Sequence, residues 1–219
     1  MPSSAITGFL EVALADVAEA SACVPLLARH WEIVSRWQLR LNLTAIIEPQ
    51  QVAWLHYRDS LEALSALQPG AVVDLGSGAG FPGIPLAICR PDTPVVLVEE
   101  RRRKASFLET AVAELGLRNA RVIHGRMEDA PNEGFDNAVT RATFSSNQDL
   151  TACCAWVKDG GRFIAMRSAA SGLTGSEIRA YRLQGSARML EIFHVKQFHV
   201  KQVTAQKVRA ATPLRKPGS

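Results

Sequence analysis

Apolar positions in residues 5–40 recur at helical spacing. Pro25 opens a second run, Leu26-Leu27-Ala28 through Trp31, Ile33, Val34 and Trp37, so two N-terminal helices are expected. Pro49 marks another helix start, and Val52, Trp54, Leu55, Leu61, Leu64 and Leu67 continue a broad apolar face until Pro69-Gly70 ends it. From residue 71 the period changes to short β-rich runs: Ala71 to Leu75, Pro94 to Glu99, Arg121 to His124, Asp136 to Thr140 and Arg162 to Met166. Between them lie helical stretches near 82–89, 102–115, 147–157 and 174–184, with Gly116 and Gly160-Gly161 as stops. Strands alternating with helices predict an α/β fold, a mostly parallel sheet covered on both faces. Beyond residue 185 the pattern weakens. Arg188 to Val195 reads as one more strand, and Val203 to Val208 as a poorer one. The expected organisation is a helical segment, 1–68, packed on a main domain, 69–210, followed by a basic flexible tail, 211–219.

The chain has 219 residues, 47% hydrophobic and 21% charged, which suits one core with a small appended segment. Cys23, Cys89, Cys153 and Cys154 are too few and too irregular for a disulfide framework, and no CxxC pair points to zinc. A reducing cytosol is therefore expected, with no metal. Glu11, Asp16 and Glu19 interrupt the apolar N-terminus, and no run reaches membrane-spanning length, so neither signal nor anchor is expected. The net charge of +4 is uneven: residues 188–219 carry seven Lys or Arg and one Glu, leaving eighteen cationic against twenty acidic residues elsewhere. Such an end suits phosphate backbones, and composition alone fits a solvated basic end equally well.

After the first strand comes Asp74-Leu75-Gly76-Ser77-Gly78-Ala79-Gly80-Phe81-Pro82-Gly83. Glycines let a backbone turn sharply and approach a ligand, and the following helix offers its N-terminus, which implies a nucleotide-like cofactor. Counted from Gly76 the dinucleotide fingerprint GxGxxG fails, whereas Gly78, Gly80 and Gly83 match it late relative to the strand end. NAD or FAD is thereby disfavoured but left open, and the Walker pattern fails. An acid two places before GxGxG fits better, with Asp74 organising the loop and Glu99, at the second strand's end, placed to accept from ribose hydroxyls. The alternative is that Asp74 only caps the loop and Glu99 opens a helix.

The chain also carries WQLRLNLT at 37–44, His56 with Asp59-Ser60-Leu61, VDLGSGAGFPGIPLAI at 73–88, Lys104 with Phe107-Leu108, Gly125-Arg126-Met127-Glu128, Thr140-Arg141-Ala142 and Arg215-Lys216-Pro217-Gly218. In this order these motifs resemble the RsmG family, also called GidB, bacterial enzymes that methylate a guanine N7 in small-subunit ribosomal RNA. The resemblance implies a Rossmann-like class I methyltransferase fold with an N-terminal helical extension, S-adenosylmethionine as cofactor, and 16S rRNA or the small ribosomal subunit as partner of a cytoplasmic monomer. It further implies that Gly76, Gly78 and Phe81 line the methionine and ribose side of the cofactor with Glu99 near the ribose, that Met127 and Glu128 hold the adenine end, and that Arg141 stands between cofactor and RNA, beside the cofactor-binding place that the loop itself suggests for Asp74. Arg126, Arg141 and Arg167 form the implied substrate-positioning set. Glu128 also reads as a surface acid, the arginines as structural ion pairs, and His56 with Asp59 as a helix-packing pair.

Guanine N7 carries its own lone pair, so no general base is expected, and the place where exocyclic-amine methyltransferases carry Asn/Asp-Pro-Pro-aromatic reads Thr140-Arg141-Ala142-Thr143-Phe144. Two features depart from the family. Arg167 follows Ala165-Met166 where a Lys is usual, and the last strand, rich in Val and Ile after an Arg-His pair, is not recognisable. In its place Phe193-His194-Val195-Lys196-Gln197 is repeated at once as Phe198-His199-Val200-Lys201-Gln202. No turn residue separates the copies, so a hairpin is not expected. The repeat reads either as a basic strand touching RNA or as a constraint on the DNA, since the pentapeptide can be encoded around the self-complementary TTTCACGTGAAA, which resembles a chromosome-partition site. A methyltransferase of another RNA or a small molecule, and a silent cofactor- or RNA-binding module, stay open as rival readings.

Overall fold

The computed structural model describes residues 4–18, 20–129, 131, 134–141, 147–170 and 175–196. Two N-terminal helices, α1 (Ser4–Ala13) and α2 (Ala20–Leu41), precede a helical stretch of mixed pitch: α3 (Pro49–Val52), a π-helical segment (Ala53–Arg58), α4 (Asp59–Glu62) and a 3-10 turn (Ala63–Ser65). The α/β part follows as β1 (Val72–Leu75), α5 (Gly83–Cys89), β2 (Val95–Glu99), α6 (Arg102–Glu114), β3 (Ala120–His124), β4 (Phe135–Thr140), α7 (Asn147–Cys154), β5 (Val157–Arg167), β6 (Ser176–Leu183) and β7 (Ser186–His194). The sheet runs β3-β2-β1-β4-β5-β7-β6, with β1 to β5 parallel and β7 antiparallel to both its neighbours. Strand order reverses between β1 and β4. Open sheets of this kind bind ligands at that point, beyond the strands' carboxyl ends.

Buried strands read as continuous apolar runs because helices cover both faces. Val72, Val95, Leu97, Val139 and Ile164 pack with α2, α5 and α6, while their alternates Val73, Val96, Val98, Ala138 and Phe163 pack with Cys153 of α7 and with Trp156. The N-terminal helices share the first of these cores, so residues 4–68 are continuous with the sheet rather than a separate body. Asn137 of β4 ties the junction: Gln68 N–H donates to its Oδ1 at 2.9 Å, and its Nδ2 donates to Gln68 O at 2.9 Å.

Three expectations need correction. Within the stretch 174–184 expected as a helix, Ser176–Leu183 form β6, paired antiparallel with β7 across Gln184-Gly185, both at positive φ, the geometry of a two-residue hairpin turn. Gly160-Gly161 do not stop a helix, since α7 ends at Cys154; they lie inside β5, where Gly160 has φ 79° and the register with β4 shifts. Pro25 does not open α2, which begins at Ala20; burial of Ala20 and Val24 favours the extra turn, and the exposed proline forfeits one hydrogen bond near the helix start.

The strand expected at Arg188 to Val195 is β7 (Ser186–His194). In the first copy of the repeat, Phe193 and Val195 turn inward while His194 and Lys196 face outward, and Phe193 stacks on Phe163 at 5.8 Å. Ordinary β alternation therefore accounts for that copy. The second copy, the poorer strand at 203–208 and the tail at 211–219 lie outside the described residues.

The helical stretch and α2 meet beneath the glycine loop at His30, which is fully buried. Its Nε2–H donates to Ala79 O at 3.2 Å, because a carbonyl can only accept, and its Nδ1 therefore accepts from Tyr57 Oη at 3.1 Å. Burial pulls its pKa down to about 3. A histidine depressed in the folded state lends stability that is complete above the unfolded value near 6.5 and lost as pH falls toward about 3.

Two outcomes are expected. Asn137→Ala leaves the Gln68 backbone groups unpaired and should cost about 2 kcal/mol, read from the urea midpoint at constant slope. The stability gap between the native chain and His30→Asn should narrow by about 2 kcal/mol between pH 7 and pH 5, since only the native chain must keep a buried imidazole neutral; an unchanged gap would show that His30 titrates normally.

Candidate active site

The loop between β1 and α5 turns on Gly76, Gly78 and Gly80, with φ of 76°, 57° and 91°. Gly76 N–H and Ser77 N–H both donate to Val98 O, which fastens the loop to the end of β2. Asp74 lies fully buried below, its Oδ2 accepting Gly83 N–H at 2.9 Å at the start of α5. Any side chain at Gly83 would run into Leu97 and Asp74. Asp74 Oδ1 has no protein partner, and burial pushes the carboxyl up to about 7 against the opposing pull of Gly83 N–H, Ser77 and Arg141. Glu99, also buried, accepts Gly78 N–H at 3.0 Å on one oxygen and Arg101 N–H at 2.9 Å on the other. Asp74 thus holds the loop from beneath and Glu99 from the side.

Beside this loop lies a cavity of about 340 Å³ bounded by Gly78, Glu99, Lys104, Gly125, Met127 and Glu128. Trp156 Nε1–H donates to Met127 O at 2.6 Å and fixes that wall. Cys153 approaches the Met127 sulfur at 3.7 Å, and burial pushes the Cys153 and Cys154 thiols up to about 12, which suits packing and not nucleophilic attack. A second cavity of about 320 Å³ shares Gly76 and Gly78 and extends the other way, toward His56, Asp59, Phe81, Arg141, Met166 and Arg188. The two cavities meet on the glycine loop.

Arg141 follows β4 and closes the floor of the second cavity, its side chain 20% exposed. Nη1 donates to Leu55 O at 3.1 Å and to Asp59 Oδ2 at 3.4 Å, and Nη2 donates to His56 Nδ1 at 3.4 Å. The guanidinium carbon stands 5.1 Å from the centre of the Phe81 ring, which stacks on His56 at 4.6 Å. Since Arg141 can only donate, His56 Nδ1 bears no hydrogen; its Nε2–H donates to Thr44 Oγ1 at 2.8 Å. Burial first and the Arg141 charge second hold His56 at about 3, so the ring is neutral with both nitrogens engaged. The π-helical segment makes this fit possible. Asp59 N–H bonds to the Trp54 and His56 carbonyls and skips Leu55, whose carbonyl takes Arg141.

Of the three arginines expected to position substrate, only Arg141 lines the joined cavities. Arg126 sits at the outer rim, 71% exposed, with Nε 3.8 Å from the Glu100 carboxylate. Arg167 and Met166 face opposite sides of β5; Met166 lines the cavity, while Arg167 turns to the other face, donating to Ala169 O and standing 3.7 Å from buried Glu191. Gly76, Gly78, Glu99, Met127 and Glu128 line one or both cavities, Phe81 lines the second, and Asp74 lies behind the loop. Sequence reasoning missed Arg188, which lines the second cavity from β7, and Tyr181, whose Oη donates to Asp59 Oδ1 at 2.8 Å. The motif His56-x-x-Asp59 was the legible trace of this arrangement. Of Thr140-Arg141-Ala142-Thr143-Phe144, the last three residues lie outside the described residues.

The residues fit an adenosine-type cofactor. A Cβ at Gly78 would meet only Gly76 O, at 3.8 Å, so the loop presents open backbone, and each Glu99 oxygen retains a lone pair beyond its backbone bond. Residues 24–204 match the family model GidB, rRNA small subunit methyltransferase G. The chain is 41% identical over 150 residues to ribosomal RNA small subunit methyltransferase G of Nitrosospira multiformis, covering 64% of this chain and 69% of that protein. It is 35% identical to the protein of the same name in Clostridium beijerinckii, where 63% of this chain spans 61% of the relative. With that of Myxococcus xanthus it shares 36% over 188 residues, covering 77% of this chain and 87% of the relative. Among solved structures, a SAM dependent methyltransferase from Aquifex aeolicus has TM-score 0.52 at 15% identity, covering 66% of this chain and 93% of its own. A mutant of MtNAS has TM-score 0.54 at 15% identity, covering 88% of this chain and 83% of its own, and both likenesses are of fold. By the family model and these relatives, the chain belongs to the GidB family, rRNA small subunit methyltransferase G, a family of S-adenosylmethionine-dependent methyltransferases.

Proposed function

We propose that this chain transfers the methyl group of S-adenosylmethionine to N7 of a guanine in the 530 loop of 16S rRNA. The observation that carries this reading is that the second cavity offers donors rather than a base: Arg141 and Arg188 face it, His56 is neutral with both nitrogens engaged, and Asp59 is committed to Arg141 and Tyr181. An acceptor bringing its own lone pair suits such a site, and guanine N7 is one. A guanidinium also matches guanine O6 and the flanking phosphates, contacts that leave the N7 lone pair free to attack.

When bound, S-adenosylmethionine supplies an activated methyl group on a sulfonium. Gly76 and Gly78 would carry its methionine side, Glu99 its ribose, and Met127 with Glu128 its adenine end. Asp74, held by Gly83, keeps the loop in shape and presents one unpartnered oxygen beneath it. Phe81, stacked on His56 and facing the Arg141 guanidinium, joins the end of the loop to the helical stretch. Catalysis is then chiefly alignment, which can contribute on the order of 7 kcal/mol. Arg141 and Arg188 hold the acceptor, and Arg126 guides RNA at the rim.

Purified protein incubated with methyl-labelled S-adenosylmethionine and small subunits lacking the modification should label one guanine N7 in the 530 loop. Label elsewhere on RNA, or on a small molecule only, would replace the substrate assignment, and cofactor binding without turnover would make the chain a silent module. Arg141→Lys should lower kcat about 100-fold with the affinity for S-adenosylhomocysteine within a fewfold, because a lysine cannot reach Leu55 O, His56 and Asp59 together.

A further inference from the structure

The reaction as proposed depends on where Arg141 points, and the side chain that fixes its counter-ion comes from an unexpected strand. Tyr181 lies on β6, the edge strand, directly opposite Arg188 of β7. Its Oη donates to Asp59 Oδ1 at 2.8 Å, while Asp59 Oδ2 takes Arg141 at 3.4 Å. Asp59 is 2% exposed, so water is a poor substitute for either donor. We infer that Tyr181 is a positioning residue for methyl transfer: its hydroxyl orients the Asp59 carboxylate, and Asp59 in turn sets the guanidinium of Arg141 against Phe81 and the cofactor loop.

Three features support this reading, which rests on the function proposed above. The Asp59–Arg141 contact is long, whereas the Tyr181–Asp59 bond has ordinary length, so the phenol holds the carboxylate more firmly than its counter-ion does. Burial and the Asp59 charge push the Tyr181 phenol well above its usual range, so it remains a donor at every working pH. Asp59 is the only carboxylate forming an ion pair with Arg141 among the described residues, so a rotated carboxylate would leave this largely buried cation without its ion-pair partner. The β6–β7 hairpin therefore gives the site more than an edge: Arg188 reaches the acceptor cavity directly, and Tyr181 acts on it through Asp59.

The test is Tyr181→Phe in the full chain, which removes one hydroxyl, beside Arg141→Lys, the double variant and Asp59→Asn. Tyr181→Phe should lower kcat about tenfold on small subunits while KM for S-adenosylmethionine stays within twofold, since misplacing one aligning group spoils geometry more than cofactor binding. The double variant should be no slower than Arg141→Lys alone, because Tyr181 acts only through that side chain. Asp59→Asn, which keeps an oxygen for the phenol but loses the charge facing Arg141, should reproduce the kcat loss. In the protein without cofactor, the Arg141 Nε–H signal in a 1H–15N spectrum, assigned by its disappearance in Arg141→Lys, should shift and broaden in Tyr181→Phe. Wild-type kcat in Tyr181→Phe, multiplicative losses in the double variant, or an unmoved Arg141 signal would each overturn the inference. A native chain that labels no guanine N7 would instead overturn the proposed function, and the spectrum would still decide whether Tyr181 holds Arg141.

Discussion

A guanidinium cannot shed its charge when most of it is withdrawn from water, so Arg141, largely buried, must be surrounded by acceptors, and supplying them shapes how the rest of the molecule is assembled. The acceptors come from the helical stretch before the sheet: Leu55 O, His56 Nδ1 and Asp59 Oδ2. Each is itself held. His56 is braced by Thr44, whose backbone is clasped by the Gln38 side chain through both N–H and carbonyl, and Asp59 is braced by Tyr181. Three segments distant in sequence therefore converge on one side chain at the end of β4. This explains why the N-terminal helices share the sheet's core and do not form a separate body. A looser attachment would move the acceptors and leave a cation stranded.

The same constraint accounts for the irregular helix. A regular α-helix through residues 53–58 would direct Asp59 N–H to Leu55 O, the carbonyl that Arg141 occupies. Widening the helix to π pitch sends that N–H one residue further back, to Trp54 O. Local regularity yields to the needs of a buried charge, a departure that clusters at working sites.

Most of the α/β core was legible because buried parallel strands are spelled as uninterrupted apolar runs, as in Val95 to Val98, and the loop because Gly76, Gly78 and Gly80 all require positive φ. The sheet's antiparallel edge was less legible for a physical reason. β6 is exposed on much of its length, so Glu177, Arg179 and Arg182 carry no apolar period, and only Gln184-Gly185 betrays the turn. β7 was easier because Leu190, Ile192 and Phe193 are buried. Within the site, motif order identified Arg141 but could not distinguish it from Arg126 and Arg167, because which face of a strand end a side chain takes is decided by parity and packing. Arg167 follows Met166 by one residue and so falls on the opposite face. Arg188 and Tyr181 escaped because they meet the site only through cross-strand pairing at the register Tyr181 with Arg188, which no local pattern records.

The electrostatics of the two carboxylates below the cavities differ in a way that fits transfer without a base. Asp59 faces a cation and a phenol and is spent on both. Asp74 accepts one backbone N–H, keeps an unpartnered oxygen, and is pushed up to about 7 by burial. Its place behind the glycine loop makes it a support for the loop and not a base for the acceptor, since the loop backbone lies between Asp74 and the cavities. Within the second cavity His56 Nδ1 takes Arg141, and each Asp59 oxygen takes one hydrogen bond, from Arg141 and from Tyr181. A site so arranged withholds proton-accepting chemistry from whatever enters it, and therefore favours acceptors nucleophilic as they stand over hydroxyls or protonated amines that would first need to lose a proton.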